Sequence, residues 1–246
     1  MVRALVPVEV LEAETVPPGI LDLLASAEVV VLGYTVIPEQ TTPEQARMSF
    51  EVRALDKLDE ITAAFAEEGA TVTSRLVFTH DEAQTFDRIA TEADADLVVH
   101  LNPAMADDDL LVALYGDVPA ERIGAVVAAL VADNETSVHL LAVARKKANT
   151  LNLLDRAETA LLDAGIDPSR VTTDRVQSRR PIRTIAEAAR GMDAVVLGKH
   201  ATDWRELVFG DFEERVAEES LGAVLVVRPE AAAEVDSNDA DDGDGS

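Results

Sequence analysis

The chain has no cysteine, which excludes disulfides, zinc–thiolate centres and thiol nucleophiles. Lysine is nearly missing: Lys57, Lys146, Lys147 and Lys199 are four of 21 basic residues, the remaining seventeen being arginines. Aromatic residues make up 4 % of the sequence, with Trp204 the single tryptophan, so the core has to be aliphatic. No apolar run approaches the roughly 18 residues of a membrane-spanning helix. The opening segment, Met1 to Val8, runs directly into a strand-like stretch and lacks the h-region of a signal peptide. The expectation is a soluble, cytoplasmic protein. The four histidines, His80, His100, His139 and His200, show no His-x-x-x-His spacing, and no serine lies in a Gly-x-Ser-x-Gly elbow. Neither a metal site nor a hydrolase of that type is expected, and no catalytic residue is assigned.

What the chain has in abundance is carboxylate. Asp and Glu number 47 among 246 residues, for a net charge of -26. A surface of that charge repels nucleic acid and anionic lipid, so neither is expected as a partner. Excess carboxylate with scarce lysine, many alanines and few aromatics points to a halophilic protein built for molar salt. At that ionic strength the Debye length is about 3 Å and self-repulsion is screened. An acidic protein of ordinary salt is the alternative.

A pattern of alternating strands and helices runs through the first 230 residues twice. In the first copy, strands are expected at Ala4–Val8, Glu28–Val36, Thr71–Phe78 and Asp96–Leu101. Between them, Pro17 and Pro18 introduce a short helix over Gly19–Ala25. Thr42 and Pro43 open a long helix with Leu55, Leu58, Ile61 and Phe65 on one face, closed by Gly69. Thr79 to Glu82 has capping-box spacing for a helix that buries Phe86, Ile89 and Ala90. In the second copy, strands are expected at Leu110–Leu114, Ser137–Ala144, Val171–Val176, Ala194–Leu197 and Ala223–Val227. Pro119 opens a helix through Ala132. A second helix buries Leu151, Leu154, Ala157, Leu161 and Ala164 and stops at Gly165, and Pro181 starts a third. Gly165 follows Gly69 at nearly the same offset as Asp193-Ala-Val-Val follows Asp96-Leu-Val-Val, which argues for duplication. The copies are unequal, because Asn102 to Asp109 is too short to hold a final helix and strand, and the sheet edge this leaves in the first copy is expected to be covered by the second. Apolar strands alternating with helices predict parallel sheets covered on both faces. The expected class is α/β, two tandem flavodoxin-like or Rossmann-like units forming a pseudo-dimer. The units are residues 1–106, degenerate, and 107–230, complete, followed by a disordered acidic tail, 231–246.

Residues 193–228 carry the most specific signal. An apolar strand stops at Gly198, a polar loop follows, Gly210-Asp211 lies in an amphipathic stretch, and a second apolar strand closes the unit. This resembles the last quarter of a universal stress protein (UspA-type) domain of HUP type, and the resemblance covers about residues 3–229 in element order. In that family a strand ending in Gly-x-x-Gly, a spacer and Gly-Ser/Thr hold the ATP phosphates. Here Gly198 stands, Ala201 replaces the second glycine, the spacer is one residue short, and Asp211 replaces the hydroxyl. The family's adenine-facing Asp is matched by Tyr115 in the second copy, ahead of Gly116-Asp117, and by Glu9 in the first. A carboxylate beside a triphosphate repels it by about 4 kcal/mol at roughly 4 Å and an effective dielectric near 20. The resemblance implies a non-enzymatic, stress-related regulatory protein acting by binding and dimerisation, with an altered or lost ATP site and no obligatory cofactor. The homodimer is expected to form through Ala223–Val227, since the family's fifth strand commonly pairs across the dimer.

Two other functions stay open. One is an ATP-binding switch or weak ATPase, with Gly198, Lys199, Gly210, Asp211 and Arg179 around the nucleotide. The other is a cytoplasmic module regulating a membrane transporter, since such domains also occur attached to carriers. Arg175, Arg179, Arg180 and Arg183 gather near one strand–helix junction, with Lys199 and His200 after the next strand. Adjacent strand ends would join these two loops into an anion trap; surface pairing with carboxylates is the alternative. Trp204 is expected to seal a helix against the sheet.

Overall fold

A computed structural model describes residues 1–12, 15–102, 109–144, 148–198 and 222–229. The first half contains β1 (Arg3–Glu9), α1 (Pro18–Leu23), β2 (Glu28–Val36), α2 (Pro43–Glu67), β3 (Thr71–Thr79), α3 (Glu82–Glu92) and β4 (Leu97–His100). The second contains β5 (Asp109–Tyr115), α4 (Ala120–Val131), β6 (Ser137–Ala144), α5 (Ala148–Asp163), β7 (Val171–Gln177), α6 (Pro181–Ala188), β8 (Ala194–Gly198) and β9 (Ala223–Val227). Most expected elements form within two residues of their expected ends. The acidic tail lies outside the described residues.

The strands make one nine-stranded sheet in the order β3-β2-β1-β4-β9-β8-β5-β6-β7. All neighbours are parallel except β4 and β9, which run antiparallel with Leu97 opposite Val227 and His100 opposite Val224. The two halves therefore point in opposite directions, and the amino edge of one adjoins the carboxyl edge of the other. Among the described residues the first half has no fifth strand of its own, and β4 pairs with the fifth strand of the second half. This corrects the expected dimer contact. β9 is parallel to β8 on one side and antiparallel to β4 on the other, so it has no edge left for a second chain.

Alternation along the strands sorts side chains onto two faces. On one face α1, α2, α4 and α5 bury a core that is continuous across both halves, from Phe65 through Val99 and Leu225 to Leu161. On the other face the core is split. Phe86 and Ile89 of α3 cover Leu5, Leu32 and Val98, while Ile185 of α6 packs with Leu111, Val195 and Val226.

Several local expectations need adjustment. α2 starts in a full capping box, Thr42 with Gln45, and Pro43 occupies its first turn. Its buried line is Ala54, Leu58, Ile61 and Phe65, whereas Leu55 is exposed because it lies a quarter-turn off that line. Thr79 does not cap α3. It ends β3, its hydroxyl is held by Thr85 at 2.8 Å, and Asp81 accepts the Gln84 N–H instead. Ala164 follows the end of α5 and is exposed. Gly69 and Gly165, with φ of 106° and 90°, close α2 and α5 in the left-handed region, matching the repeat.

Asp96 and Asp193, paired by the repeat, perform the same structural task. Each accepts a backbone N–H from the first residue of the neighbouring strand: Arg3 N–H to Asp96 at 2.9 Å, Asp109 N–H to Asp193 at 3.0 Å. At the seam between the halves Asp96 gains a second partner. Arg122, in the first turn of α4, donates to Asp96 at 2.8 Å and to the Arg228 carbonyl at 2.8 Å, beside the end of β9. Arg228 in turn donates its backbone N–H to the Asp96 carbonyl and its guanidinium to Thr91 and Ala95.

Candidate functional site

Open α/β sheets bind ligands beyond the carboxyl ends of the strands, where the strand order reverses. That point lies between β1 and β4 in the first half and between β5 and β8 in the second. Because the halves are antiparallel, the two crevices open at opposite edges of the sheet.

In the second half, Tyr115 ends β5 and packs against the core cluster containing Leu111, Leu197 and Ile185. Gly116 turns the chain with φ of 76°, and Val118 folds back into the core on the opposite face, at 4 % exposure. Gly198, at the end of β8, is buried beneath this turn. A Cβ at Gly198 would stand 2.9 Å from Val118 Cγ1 and 3.1 Å from Ile123 Cδ1. Close packing of α4 against β8 therefore explains the glycine without reference to a ligand. Lys199, His200, Ala201, Trp204, Gly210 and Asp211 lie outside the described residues.

The first half carries different groups at the matching point. Aligning Asp96 with Asp193 sets His100 where Leu197 stands and Leu101 where Gly198 stands. Phe86 of α3 lies between Tyr34 and His100, with ring-centroid distances of 4.9 Å and 6.1 Å. Burial pushes the His100 imidazole down to about 4, with Asp87 opposing, so the ring is neutral at pH 7. Glu9, at the end of β1, has its carboxyl pushed up, first by burial and then by Glu12 and Glu82. The mouth is apolar and aromatic and is bordered by carboxylates; the cations beside the end of β1 are already engaged, Arg53 with the Leu11 carbonyl and Lys57 with Glu60.

The arginine cluster is not assembled around Gly198. β7 is an edge strand, separated from β8 by β5 and β6, which sets their ends about 14 Å apart at the usual strand spacing. This corrects the expectation that adjacent strand ends would join the two loops. Arg175 pairs with Asp155 at 3.3 Å and Arg183 with Glu187 at 2.9 Å. Ser178 accepts the Arg180 N–H at the start of α6, at 3.0 Å. Arg179 is exposed and makes no ion pair with a described residue. Among the histidines, His80 binds the Ile37 carbonyl at 3.0 Å and His139 binds Thr172 at 2.9 Å. No group of three or more His, Asp or Glu among the described residues is arranged to hold a metal ion.

The polar group that ties the two halves together is the Arg122–Asp96–Arg228 seam, which sequence reasoning missed. A signal was present. A basic side chain in the first turn of a helix opposes the helix dipole, so Arg122 needed a specific acidic partner.

No protein-family model matches the sequence, and no curated protein matches it. Solved structures do match the fold. A universal stress protein from Archaeoglobus fulgidus superposes with a TM-score of 0.58 at 14 % identity, over 94 % of this chain and 97 % of that one. A structure from Pseudomonas aeruginosa assigned to the same proteins gives 0.51 at 13 % identity, over 93 % of each chain. The fold is that of the universal stress proteins, mixed α/β with a mostly parallel sheet. No described helix is long and apolar enough to cross a membrane.

Proposed function

We propose that this chain is a non-enzymatic regulatory protein of universal stress protein type, acting in the cytoplasm by binding and self-association. Its ATP site is altered, and its surface is adapted to molar salt. The observation that carries the altered-site reading is the pair of groups at the switch points. Tyr115 and Glu9 end the strands where the fold's adenine-facing Asp is expected, and Val118 with Ile123 fills the space over Gly198. The charge of -26 supports the salt adaptation, since self-repulsion at that density is screened only at high ionic strength.

Calorimetric titration with ATP and magnesium in molar potassium chloride tests this reading. The expected result is no saturable heat up to millimolar nucleotide. Saturable binding that disappears in Lys199→Ala would instead establish the nucleotide switch.

A further inference from the structure

The two outer edges of the sheet differ in kind. β7, at one end, carries Asp174 and Arg175, engaged with His139 and Asp155. β3, at the other end, is nine residues long and contains none of the chain's 47 carboxylates; its single charge is Arg75. The Thr71 N–H and the Thr79 carbonyl both bond toward β2. With a period of two, Val72, Ser74, Leu76 and Phe78 therefore turn their N–H and C=O groups to the open side. Among the described strands nothing pairs with that row. Unpaired edges of this length and low charge are templates for another strand.

The same side of the molecule presents an apolar line. On α2, Met48 is 89 % exposed, Val52 75 % and Leu55 41 %, at helical spacing i, i+4, i+7. The Ala54–Leu58–Ile61–Phe65 line faces the sheet, and Arg53 reaches inward to the Leu11 carbonyl after β1. At about 100° per residue, Met48, Val52 and Leu55 lie about 120° from the buried line, on the flank opposite Arg53. That flank is the side of α2 turned away from β1, toward the β3 end of the sheet.

We propose that this side of the first half, the β3 edge with the Met48–Val52–Leu55 line, is the surface on which a second copy of the chain docks. The proposal deepens the self-association part of the reading above and does not depend on a nucleotide site. A second copy is the occupant because an antiparallel strand pair about a two-fold axis satisfies both identical rows at once. It also brings the two apolar lines together. Charge permits it, since β3 itself carries no carboxylate and Glu51, beside the apolar line, is paired with Arg47, leaving Glu44 and Asp59 to be screened by salt. A nine-residue strand is about 30 Å long, and strand plus helix flank is about 20 Å deep; the interface is then about 1,200 Å² in total, the lower bound for stable association.

Sedimentation equilibrium of the full chain in molar potassium chloride tests the proposal, with three variants. Ser74→Pro removes an outward N–H while leaving the bonds to β2 intact. Val52→Glu charges the helix line, and Leu162→Glu on α5 serves as the control, Leu162 being 40 % exposed elsewhere. The expected result is a wild-type and Leu162→Glu dimer with a dissociation constant raised at least tenfold in Ser74→Pro and Val52→Glu. If Ser74→Pro does not fold, Val52→Glu decides alone. A dimer that survives in the folded variants overturns the β3 surface but keeps self-association. A wild-type monomer at 100 μM, about a hundred times a dissociation constant of about 1 μM, overturns both.

Discussion

The two halves of the sheet repeat one plan and finish it differently. The second half completes five strands, while the first stops at β4 and takes β9 as its neighbour. Both begin their fourth strand after an Asp that bonds back to the first strand, Asp96 and Asp193. Beyond that point the second half has Leu197-Gly198 and the first has His100-Leu101. One half of such a sheet can thus have a strand fewer than the other without exposing an edge, provided the other half supplies one in the opposite direction. β9 then belongs structurally to both halves. That shared use explains why the C-terminal strand is unavailable for pairing between chains.

Removing the shared strand is the most severe way to break this comparison. A chain ending at residue 229 is expected to melt cooperatively in molar salt. A chain ending at residue 221 should lose the cooperative transition, because it uncovers the edges of both β4 and β8 and removes the core residues Val224, Leu225 and Val226. Retention of a sharp transition in the shorter chain, followed by circular dichroism, would separate the halves energetically.

The His100 position sharpens the comparison through pH. Above its ordinary value of 6.5 the ring is neutral in both states and contributes no pH dependence. As pH falls from 6.5 to about 4, the unfolded chain takes up a proton that the folded chain refuses, so stability falls. The loss levels off below the folded value, at about 3 kcal/mol in this linkage arithmetic. Glu9 acts with the opposite sign: its raised carboxyl binds a proton first in the folded state, so stability rises as pH drops through its range. Urea melts of wild type and His100→Gln across pH 4 to 7 isolate the histidine. A difference independent of pH would show that His100 is not held neutral.

The seam offers a smaller effect. Arg122→Ala is expected to cost about 2 kcal/mol, because it leaves a half-buried Asp96 oxygen and the Arg228 carbonyl without their charged donor. Arg156→Ala, which removes an exposed pair with Glu121, should cost less than about 0.5 kcal/mol. Equal losses in denaturant melts would mean that the seam is no more than another surface contact.

Much of this fold was readable from pattern alone. β-branched runs such as Val29-Val-Val-Leu32 and Ala194-Val-Val-Leu197 alternate with stretches of helical period, and strand ends were accurate because apolar runs end abruptly. That the second copy covers the sheet edge left by the missing fifth strand is legible in the unequal copies; that β9 does so, antiparallel to β4, is not, since a five-residue apolar strand looks the same whether its second neighbour lies in the same chain or another. Thr79 departs from its expected role for a related reason: capping-box spacing is local, whereas Thr79 ends β3 and its hydroxyl bonds with Thr85 of α3. At the candidate site, Gly198 was identified correctly as a strand-end glycine. Its packing against Val118 and Ile123 depends on how the turn at Gly116 folds, which spacing does not encode. Spacing along the chain does not encode strand order either, so it cannot show that two strands, β5 and β6, separate the β7 end before Arg179 from Gly198.

The central claim is that β9 makes the two halves one cooperative unit. Native-state hydrogen exchange in molar salt tests it most directly. The amides of Leu97–His100 in β4 and of Ala194–Gly198 in β8 are expected to open together, with the free energy of global unfolding. Exchange of the β4 amides at a distinctly lower free energy, while those of β8 stay protected, would contradict it.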